Sequence, residues 1–164
     1  CALPICLAAM GDAMLVFAPH ANSYDRLVPG AHAPTGIAWA YENRTAAIRI
    51  PSGPHAARRI EHRLAGGDVN PYLSIAAVLG AALNGMQDGV QPPAPITGNA
   101  YELDLPQVPG TWDAAIDAFE TSDQIARIFD TELIRNLVMT KRQEAQEMAD
   151  LSPEERIEIY LDTV

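Results

Sequence analysis

The sequence predicts an α+β fold in which short antiparallel strands precede a block of C-terminal helices. Three short segments with strand character lie at 36–41, 45–50 and 58–64, and turn-forming residues separate them. Apolar or acidic segments with helical spacing make up most of the rest of the chain. Strand-like segments joined by short turns, followed by segments with helical periodicity, are typical of this fold class.

The first segment, residues 5–18, is apolar with helical spacing and stops at Pro19. This pattern predicts one mostly buried helix. Cys1 and Cys6 have no further metal ligands nearby in the sequence, so we expect buried free thiols rather than a metal or redox pair. Residues 22–34 are expected to be irregular, because proline and glycine interrupt them.

The second half of the chain is predicted to be helical. Asn70 as N-cap and Pro71 at the first helical position predict a helix over 72–88. Since no charged residue occurs in it before Asp88, we expect this helix to be buried nearly all round. Residues 91–109 are rich in proline and predict a weakly structured arm. Three further helices are predicted, at 112–119, 131–150 and 153–161.

Charge is distributed unevenly along the 164 residues. The formal charge is about +2 up to Leu64 and about −12 from Ala65 onward, for a net charge of −10. Such an acidic chain is repelled by nucleic acid, and aromatic residues do not interleave with the basic ones. We therefore expect no nucleic-acid partner, and a local site for small anions in the basic part.

The sequence also bears on location. No apolar run approaches the roughly 20 residues that span a bilayer, and the start lacks the basic leader of a secretory signal. We expect a cytoplasmic protein without a membrane partner. Because the chain starts without methionine and directly with apolar residues, we also expect it to be part of a longer polypeptide.

The segment 44–63 concentrates cationic side chains. It contains five arginines and one glutamate: Arg44, Arg49, Arg58, Arg59, Arg63 and Glu61. Arginine is suited to binding carboxylates and phosphates through two oxygens at a time. A carboxylate among arginines is suited to a divalent cation that carries phosphate. The segment therefore predicts an anion site.

Strand alternation predicts how these side chains are arranged. Arg59, Glu61 and Arg63 should point to one face of the third strand, and Arg49 should lie opposite the isoleucines of the second. A structural ladder of salt bridges explains this pattern as well as a ligand floor does. One glutamate cannot neutralise these arginines together with Arg44, however, and an unpaired buried guanidinium costs several kcal/mol. Either the arginines are exposed or an anion completes them.

Five sequence motifs, in order, resemble consecutive motifs of the glutamine synthetase family. They are NSYDRLVPG at 22–30, AP at 33–34, NRTAAIRIP at 43–51, RRIEHR at 58–63 and NPYL at 70–73. No single motif is decisive, but their order and approximate spacing match. The resemblance implies that residues 1–164 form the C-terminal part of the family's catalytic domain, with strands that belong to its catalytic sheet.

The resemblance implies an activity. The implied activity is that of an ATP-dependent ligase, which phosphorylates the γ-carboxylate of glutamate and lets an amine or ammonia displace the phosphate. By motif position, Arg26 and Arg63 would hold carboxylate oxygens of glutamate or of its phosphorylated intermediate. The implied cofactors are ATP and Mg²⁺ or Mn²⁺.

The same carry-over gives roles to the remaining charged residues. Arg44, Arg49 and Arg59 would bind ATP phosphates and the transferring phosphoryl group, and Arg44 would act in catalysis. Glu61 would ligate the metal on the nucleotide side. This agrees with the chemistry of phosphoryl transfer, which depends on positioning and on spreading negative charge over arginines and metal ions.

One departure from the family pattern concerns the amine. Ammonia-using members carry Gly-Tyr-Glu-Ala-Pro where this chain has Gly-Ala-His-Ala-Pro, with His32 at the glutamate position. The family's glutamate helps to bind and deprotonate ammonium, and His32 supplies no permanent negative charge. We hypothesise a larger organic amine, such as a polyamine or alkylamine, with His32 as general base. The alternative is a loop histidine that only packs or caps.

The family's N-terminal β-grasp domain and its upstream metal ligands do not occur in these residues. We therefore expect that the chain alone is inactive, and that it works in a ring-shaped homo-oligomer, a double ring in the intact protein. The alternatives are a non-catalytic anion-binding or oligomerisation module and a pseudoenzyme fragment. Tyr101 lies near the position of an adenylylated tyrosine in some bacterial members, but the local match is loose and a packed tyrosine is expected.

Overall fold

A computed structural model describes residues 3–30 and 33–163, and it confirms the α+β class. A small sheet lies among helices that supply most of the core. The α-helices are α1 (Leu3–Ala8), α2 (Met14–Phe17), α3 (Pro71–Gln87), α4 (Trp112–Thr121), α5 (Asp123–Ala126), α6 (Thr131–Met148) and α7 (Pro153–Thr163). The strands are β1 (Trp39–Tyr41), β2 (Ile48–Ile50) and β3 (Glu61–His62), and 3₁₀ turns occupy Ala21–Arg26, His55–Ala57 and Ala100–Glu102.

The first predicted helix is two helices, α1 and α2, joined by turns at residues 9–13. Gly11 lies in this break, and the Asp12 carboxylate accepts a hydrogen bond of 2.6 Å from the Ser122 hydroxyl. Ser122 is also the N-cap of α5, so the break is tied to that helix. The prediction of burial is confirmed for α2, whose residues are all buried. Cys6 is a buried free thiol as predicted, and Cys1 lies outside the described residues.

The strand order is β1-β2-β3, and the pairing differs from the prediction on one side. β2 and β3 are antiparallel as predicted, but β1 and β2 are parallel. The side chain of Asn43 lies in the connection between these two strands, where it accepts hydrogen bonds from the Thr45 amide (2.9 Å) and hydroxyl (2.7 Å) and donates to the Gly98 carbonyl (2.7 Å). Connection 42–47 returns along β1, so that β2 starts beside the start of β1.

The third strand is shorter than predicted. Arg58 caps the His55–Ala57 turn and Arg59 follows it, so both lie outside β3. Arg59 is exposed and donates to the Ala57 carbonyl at 3.4 Å. The predicted alternation therefore places Glu61 correctly but not Arg59.

Helix α3 begins and ends as predicted. The Asn70 side chain accepts hydrogen bonds from the amides of Tyr72 and Leu73, at 3.0 and 3.2 Å, and Pro71 is the first helical residue. The left-handed residue Gly89 (φ 64°) follows the last turn.

The predicted burial of α3 is wrong. One face carries the exposed residues Tyr72 (83%), Ile75 (58%), Leu79 (59%), Leu83 (55%) and Met86 (54%), which we call the α3 stripe. The opposite face buries small residues, among them Ala77 and Ala81, and packs mainly on α1. Neighbouring elements in the described part of the chain thus cover only one side of this helix.

The later helices lie within a few residues of their predicted ends, and short α5 was not predicted. Helix α4 packs on α6 and α2, and it buries Ile116 and Phe119 against the core. The proline-rich arm has little regular structure, as predicted. It runs along β1, where the Trp39 indole donates to the Pro93 carbonyl at 2.8 Å. Within the described ranges, no helix is long and apolar enough to cross a membrane.

Candidate functional site

Four charged side chains meet on one face of the sheet, and we call Glu42, Arg49, Glu61 and Arg63 the sheet cluster. Arg49 and Glu61 face each other in the antiparallel register of β2 and β3. Arg49 Nη1 donates to one Glu61 oxygen at 2.8 Å, and Arg63 Nε donates to the other at 3.1 Å. A single carboxylate therefore bridges two guanidiniums, as the alternation of β3 predicts for Arg63.

Glu42 is the member of the cluster that the sequence did not reveal. Its carboxylate accepts from Arg49 Nη2 at 3.2 Å and from the Ser52 amide. The Ser52 hydrogen bond, with Arg49 second, lowers the pKa of Glu42, and the bond to Glu42 raises the pKa of Arg49. Because the parallel pairing of β1 places Glu42 beside the end of β2, only knowledge of that pairing could have found it.

The sheet cluster leaves donors unused. Arg49 Nε and Arg63 Nη1 are buried atoms without a hydrogen-bond partner among the described residues. The two side chains are only 15% and 18% exposed. A buried donor without a partner costs about 1–3 kcal/mol, which a phosphate or carboxylate oxygen would recover. The arrangement therefore fits an anion, as expected of a site for ATP phosphates or a substrate carboxylate.

Two predicted phosphate ligands lie outside the cluster. Arg44 and Arg59 are exposed, and neither forms a salt bridge with any other described residue. Their guanidiniums are accessible to a ligand from solvent, but the structure does not gather them around Glu61. Their roles, like those of the cluster residues, stay predictions.

Arg26 is the last residue of the 3₁₀ turn Ala21–Arg26, and its side chain points toward backbone carbonyl groups. Its Nη2 donates to the carbonyls of Phe17 (3.4 Å) and Leu64. Burial lowers the pKa of Arg26, while the charge of Asp68 opposes this shift. The predicted glutamate-binding role of Arg26 stays a prediction, and His32 lies outside the described residues.

The described residues do not complete a metal site. They contain no group of three or more histidine, cysteine, aspartate or glutamate side chains that could hold a metal ion. Both oxygens of Glu61 are hydrogen-bonded to arginines, and one carboxylate is a small part of the six or so oxygens that Mg²⁺ or Mn²⁺ takes. Glu61 remains a predicted metal ligand, and further ligands would have to come from outside these residues.

The other face of β3 carries His62, to which the sequence analysis assigned no role. Its ring packs on Phe17 with centroids 4.3 Å apart, and its Nδ1 is buried without a described partner. Burial lowers the pKa of His62 to about 4. His62 is therefore neutral near pH 7 and packs behind the sheet cluster rather than joining it.

Comparison with known proteins shows the family of the chain. The chain matches the family described as "Glutamine synthetase, catalytic domain" over residues 6–160. The "Gamma-glutamylethanolamide synthetase GlnA4" of Streptomyces coelicolor is 42% identical over 78% of this chain and 28% of its own length. The "Glutamine synthetase" of Aquifex aeolicus is 37% identical, over 93% of this chain and 35% of its own length.

A third relative also makes an amide of an organic amine, according to its name. The "Gamma-glutamylputrescine synthetase PuuA" of Escherichia coli is 36% identical over 72% of this chain and 25% of its own length. The chain thus spans between a quarter and about a third of the length of these relatives.

Proposed function

The chain belongs to the glutamine synthetase catalytic-domain family, and we propose that it supplies the C-terminal part of the active site of an ATP-dependent ligase that joins glutamate to an amine. The observation that carries this proposal is the pair of buried, unpartnered guanidinium atoms on Arg49 and Arg63, beside Glu61. They leave positive charge and directed donors unused at one place on the sheet. A phosphate or carboxylate is the ligand that fits them.

Phosphoryl transfer makes a specific demand on such a site. Charge spreads over the phosphoryl oxygens in the transition state, and fixed cations stabilise it without reorganisation. Arg49 is held by both Glu42 and Glu61, so its guanidinium is oriented before a ligand arrives. Arg44 and Arg59 are exposed and serve ATP phosphates from the solvent side in this proposal. Arg26 and Arg63 serve the carboxylate oxygens of glutamate.

The reaction has two steps in this proposal. The γ-carboxylate of glutamate takes the γ-phosphoryl group of ATP, which gives γ-glutamyl phosphate and ADP. The amine nitrogen then attacks the carbonyl carbon, the bond from that carbon to the phosphate oxygen breaks, and a base takes the proton of the amine. Bound Mg²⁺ or Mn²⁺ would neutralise phosphate charge, with Glu61 as one ligand.

Two observations favour an organic amine over ammonia. His32 stands where ammonia-using members carry glutamate, and we assign it the role of base. Relatives at 42% and 36% identity are named for amides of ethanolamine and putrescine. Other relatives are named glutamine synthetase, so ammonia is the competing acceptor. The intact enzyme would work as a ring-shaped homo-oligomer in the cytoplasm.

The proposal is tested with the intact polypeptide by measuring ADP formation that depends on glutamate and on an added amine. We expect ethanolamine, putrescine or a simple alkylamine to give a higher kcat/KM than ammonia. Arg63→Gln should lose most activity, whereas Arg135→Gln, at an exposed position on α6, should keep it. Preference for ammonia over every organic amine would refute the amine assignment.

The same assay separates the other candidates. A protein that binds ATP or pyrophosphate but shows no turnover with any amine would be the anion-binding module or pseudoenzyme instead. Glu61→Gln tests the metal ligand by itself. Unchanged metal dependence and turnover in that variant would remove Glu61 from the proposed metal site.

A further inference from the structure

A second group of polar and ionisable side chains lies away from the sheet, where helices α6 and α7 meet the start of the Ala21–Arg26 turn. It consists of His20, Lys141, Glu144 and Tyr160, which we call the helix cluster. Glu144 is at its centre: one oxygen accepts from His20 Nδ1 at 3.1 Å and from the Tyr160 hydroxyl at 3.0 Å. The other oxygen accepts from Lys141 Nζ at 2.7 Å.

The helix cluster is shielded from solvent, and its glutamate is ionised. The side chains of His20, Lys141 and Glu144 are 13%, 11% and 20% exposed, and Lys141 Nζ also lies 5.7 Å from the centre of the Trp112 ring. Burial opposes ionisation of Glu144, but the hydrogen bonds from His20, Lys141 and Tyr160 outweigh it and lower the pKa of Glu144 to about 2. Glu144 is therefore an anion near neutral pH, and its partners are held to it.

Two members of the cluster hold the beginning of the 3₁₀ turn. The Tyr160 hydroxyl accepts a hydrogen bond from the Ala21 amide at 3.2 Å. The backbone of His20 bonds Ser23 in both directions, from the His20 amide to the Ser23 hydroxyl (3.3 Å) and from the Ser23 amide to the His20 carbonyl (3.0 Å). The Ser23 hydroxyl in turn donates to Asp68 at 2.5 Å. These hydrogen bonds fix the direction in which the backbone of the turn runs from the helix cluster.

Arg26 is the last residue of the same turn. Since the turn is one short, hydrogen-bonded unit, the location of its first residues contributes to that of the Arg26 backbone, while the carbonyls of Phe17 and Leu64 hold its Nη2. The residues of the sheet cluster lie on the three strands or directly after them, and the cluster shares no member with the helix cluster. A change in the helix cluster should therefore reach Arg26 without reaching Arg49.

We propose that Glu144 is a positioning residue that acts through His20 and Tyr160 to place the turn Ala21–Arg26, and with it the guanidinium of Arg26, for the carboxylate of glutamate. The inference rests on the proposed function, in which Arg26 binds glutamate. Without Glu144, Lys141 and His20 lose their shared acceptor, and the turn loses its tie to α6, while the Tyr160 hydroxyl of α7 loses the acceptor that orients it toward the Ala21 amide.

The test compares Glu144→Ala, Glu144→Gln and Tyr160→Phe in the intact polypeptide. Since displacement of a binding group by about 1 Å can cost up to about 100-fold in rate, we expect Glu144→Ala to raise KM for glutamate about tenfold or more while KM for ATP changes less than about twofold. Glu144→Gln keeps an acceptor and should be milder. Glu147→Ala, on the same helix and exposed, is the control and should change neither constant.

A merely structural role would lower the thermal midpoint and leave the ratio of the two KM values unchanged, which would overturn the proposal. Tyr160→Phe removes a single hydroxyl, so it tests the positioning role even if Glu144→Ala fails to fold. Amide hydrogen exchange of residues 21–26 gives a readout that does not need turnover. Protection of these amides should fall in Glu144→Ala and Tyr160→Phe but not in Glu147→Ala.

The two failures can be told apart. An inactive wild-type protein would refute the proposed function, and hydrogen exchange would still decide whether Glu144 holds the turn. Unchanged protection of residues 21–26 in both variants would refute the positioning role, whatever the activity.

Discussion

The sheet cluster and the helix cluster both place one glutamate among cationic or donor side chains, but they differ in how completely their atoms are paired. In the helix cluster, Glu144 has three side-chain partners, and none of its members is among the buried atoms without a partner. In the sheet cluster, Glu61 has two partners, and buried nitrogens of Arg49 and Arg63 remain unused.

This difference separates two uses of buried charge. A completed cluster needs nothing further, so its contribution is to orientation and stability. An incomplete one keeps a desolvation cost that a ligand can relieve, which favours binding at that place. Five predictions follow from this contrast and from the ionisable groups around it.

Lys141→Met should have the largest effect on stability. It leaves the shielded carboxylate of Glu144 without its closest cation, and breaking a buried pair in this way costs about 3–5 kcal/mol. The double variant Lys141→Met, Glu144→Leu removes both charges and should recover much of that loss. Urea unfolding of the intact polypeptide measures both. If the double variant is as unstable as the single one, the helix cluster does more than balance charge.

Arg49→Lys should mainly affect activity. Lysine keeps the charge but cannot reach two carboxylates and a ligand with one planar group. We expect kcat/KM to fall about 100-fold, the size of effect seen when one preorganised donor is lost, with little change in stability. Arg135→Lys is the matched control. Wild-type kinetics in Arg49→Lys would remove the sheet cluster from the proposed mechanism.

His62 should make stability depend on pH. Its folded pKa of about 4 lies below the ordinary 6.5, so the unfolded chain binds the proton more tightly and stability falls as pH drops from 6.5 toward 4. The loss at pH 5 relative to pH 7.5 should be roughly 2 kcal/mol. His62→Leu should remove this dependence, and His55→Gln, at an exposed position, should keep it.

The helix cluster should respond in a different pH window. Because the pKa of Glu144 is depressed to about 2, its stabilisation is present above pH 4.5 and disappears only between 4.5 and 2. Mild acid therefore weakens the packing behind the sheet first. If His62→Leu lost as much stability between pH 6.5 and 4 as between pH 4.5 and 2, this assignment of the two windows would be contradicted.

Arg142→Ala should have the smallest effect. Arg142 bonds Asp117 and Glu120 across α6 and α4, but all three side chains are more than 40% exposed. Exposed pairs contribute about 0–1 kcal/mol, and salt screens them. A loss above that range in unfolding experiments would show that exposure does not distinguish the ion pairs of this protein.

Local signals in the sequence predicted much of the fold. Asn70, Pro71 and Gly89 mark the ends of α3, and the alternation of β3 predicts that Glu61 and Arg63 meet. These predictions depend on neighbours in the chain, for which backbone preference and side-chain period are strong guides.

What the sequence missed depends on contacts between distant segments. The parallel pairing of β1 and β2 brings Glu42 to Arg49, and Asn43, in the connection between these strands, bonds distant Gly98. No periodicity encodes such a pairing. The exposed stripe of α3 was missed for a related reason, since an apolar helix looks the same in sequence whether or not a neighbour covers it.

The α3 stripe should also determine how soluble these residues are when they are purified alone. Its residues recur every three or four positions, and the whole row faces water in the described structure. A purified sample of these residues alone should bind hydrophobic dyes, adsorb to surfaces and come out of solution as it is concentrated. Mild detergent, or Leu79→Gln with Leu83→Gln, should then improve recovery of that sample.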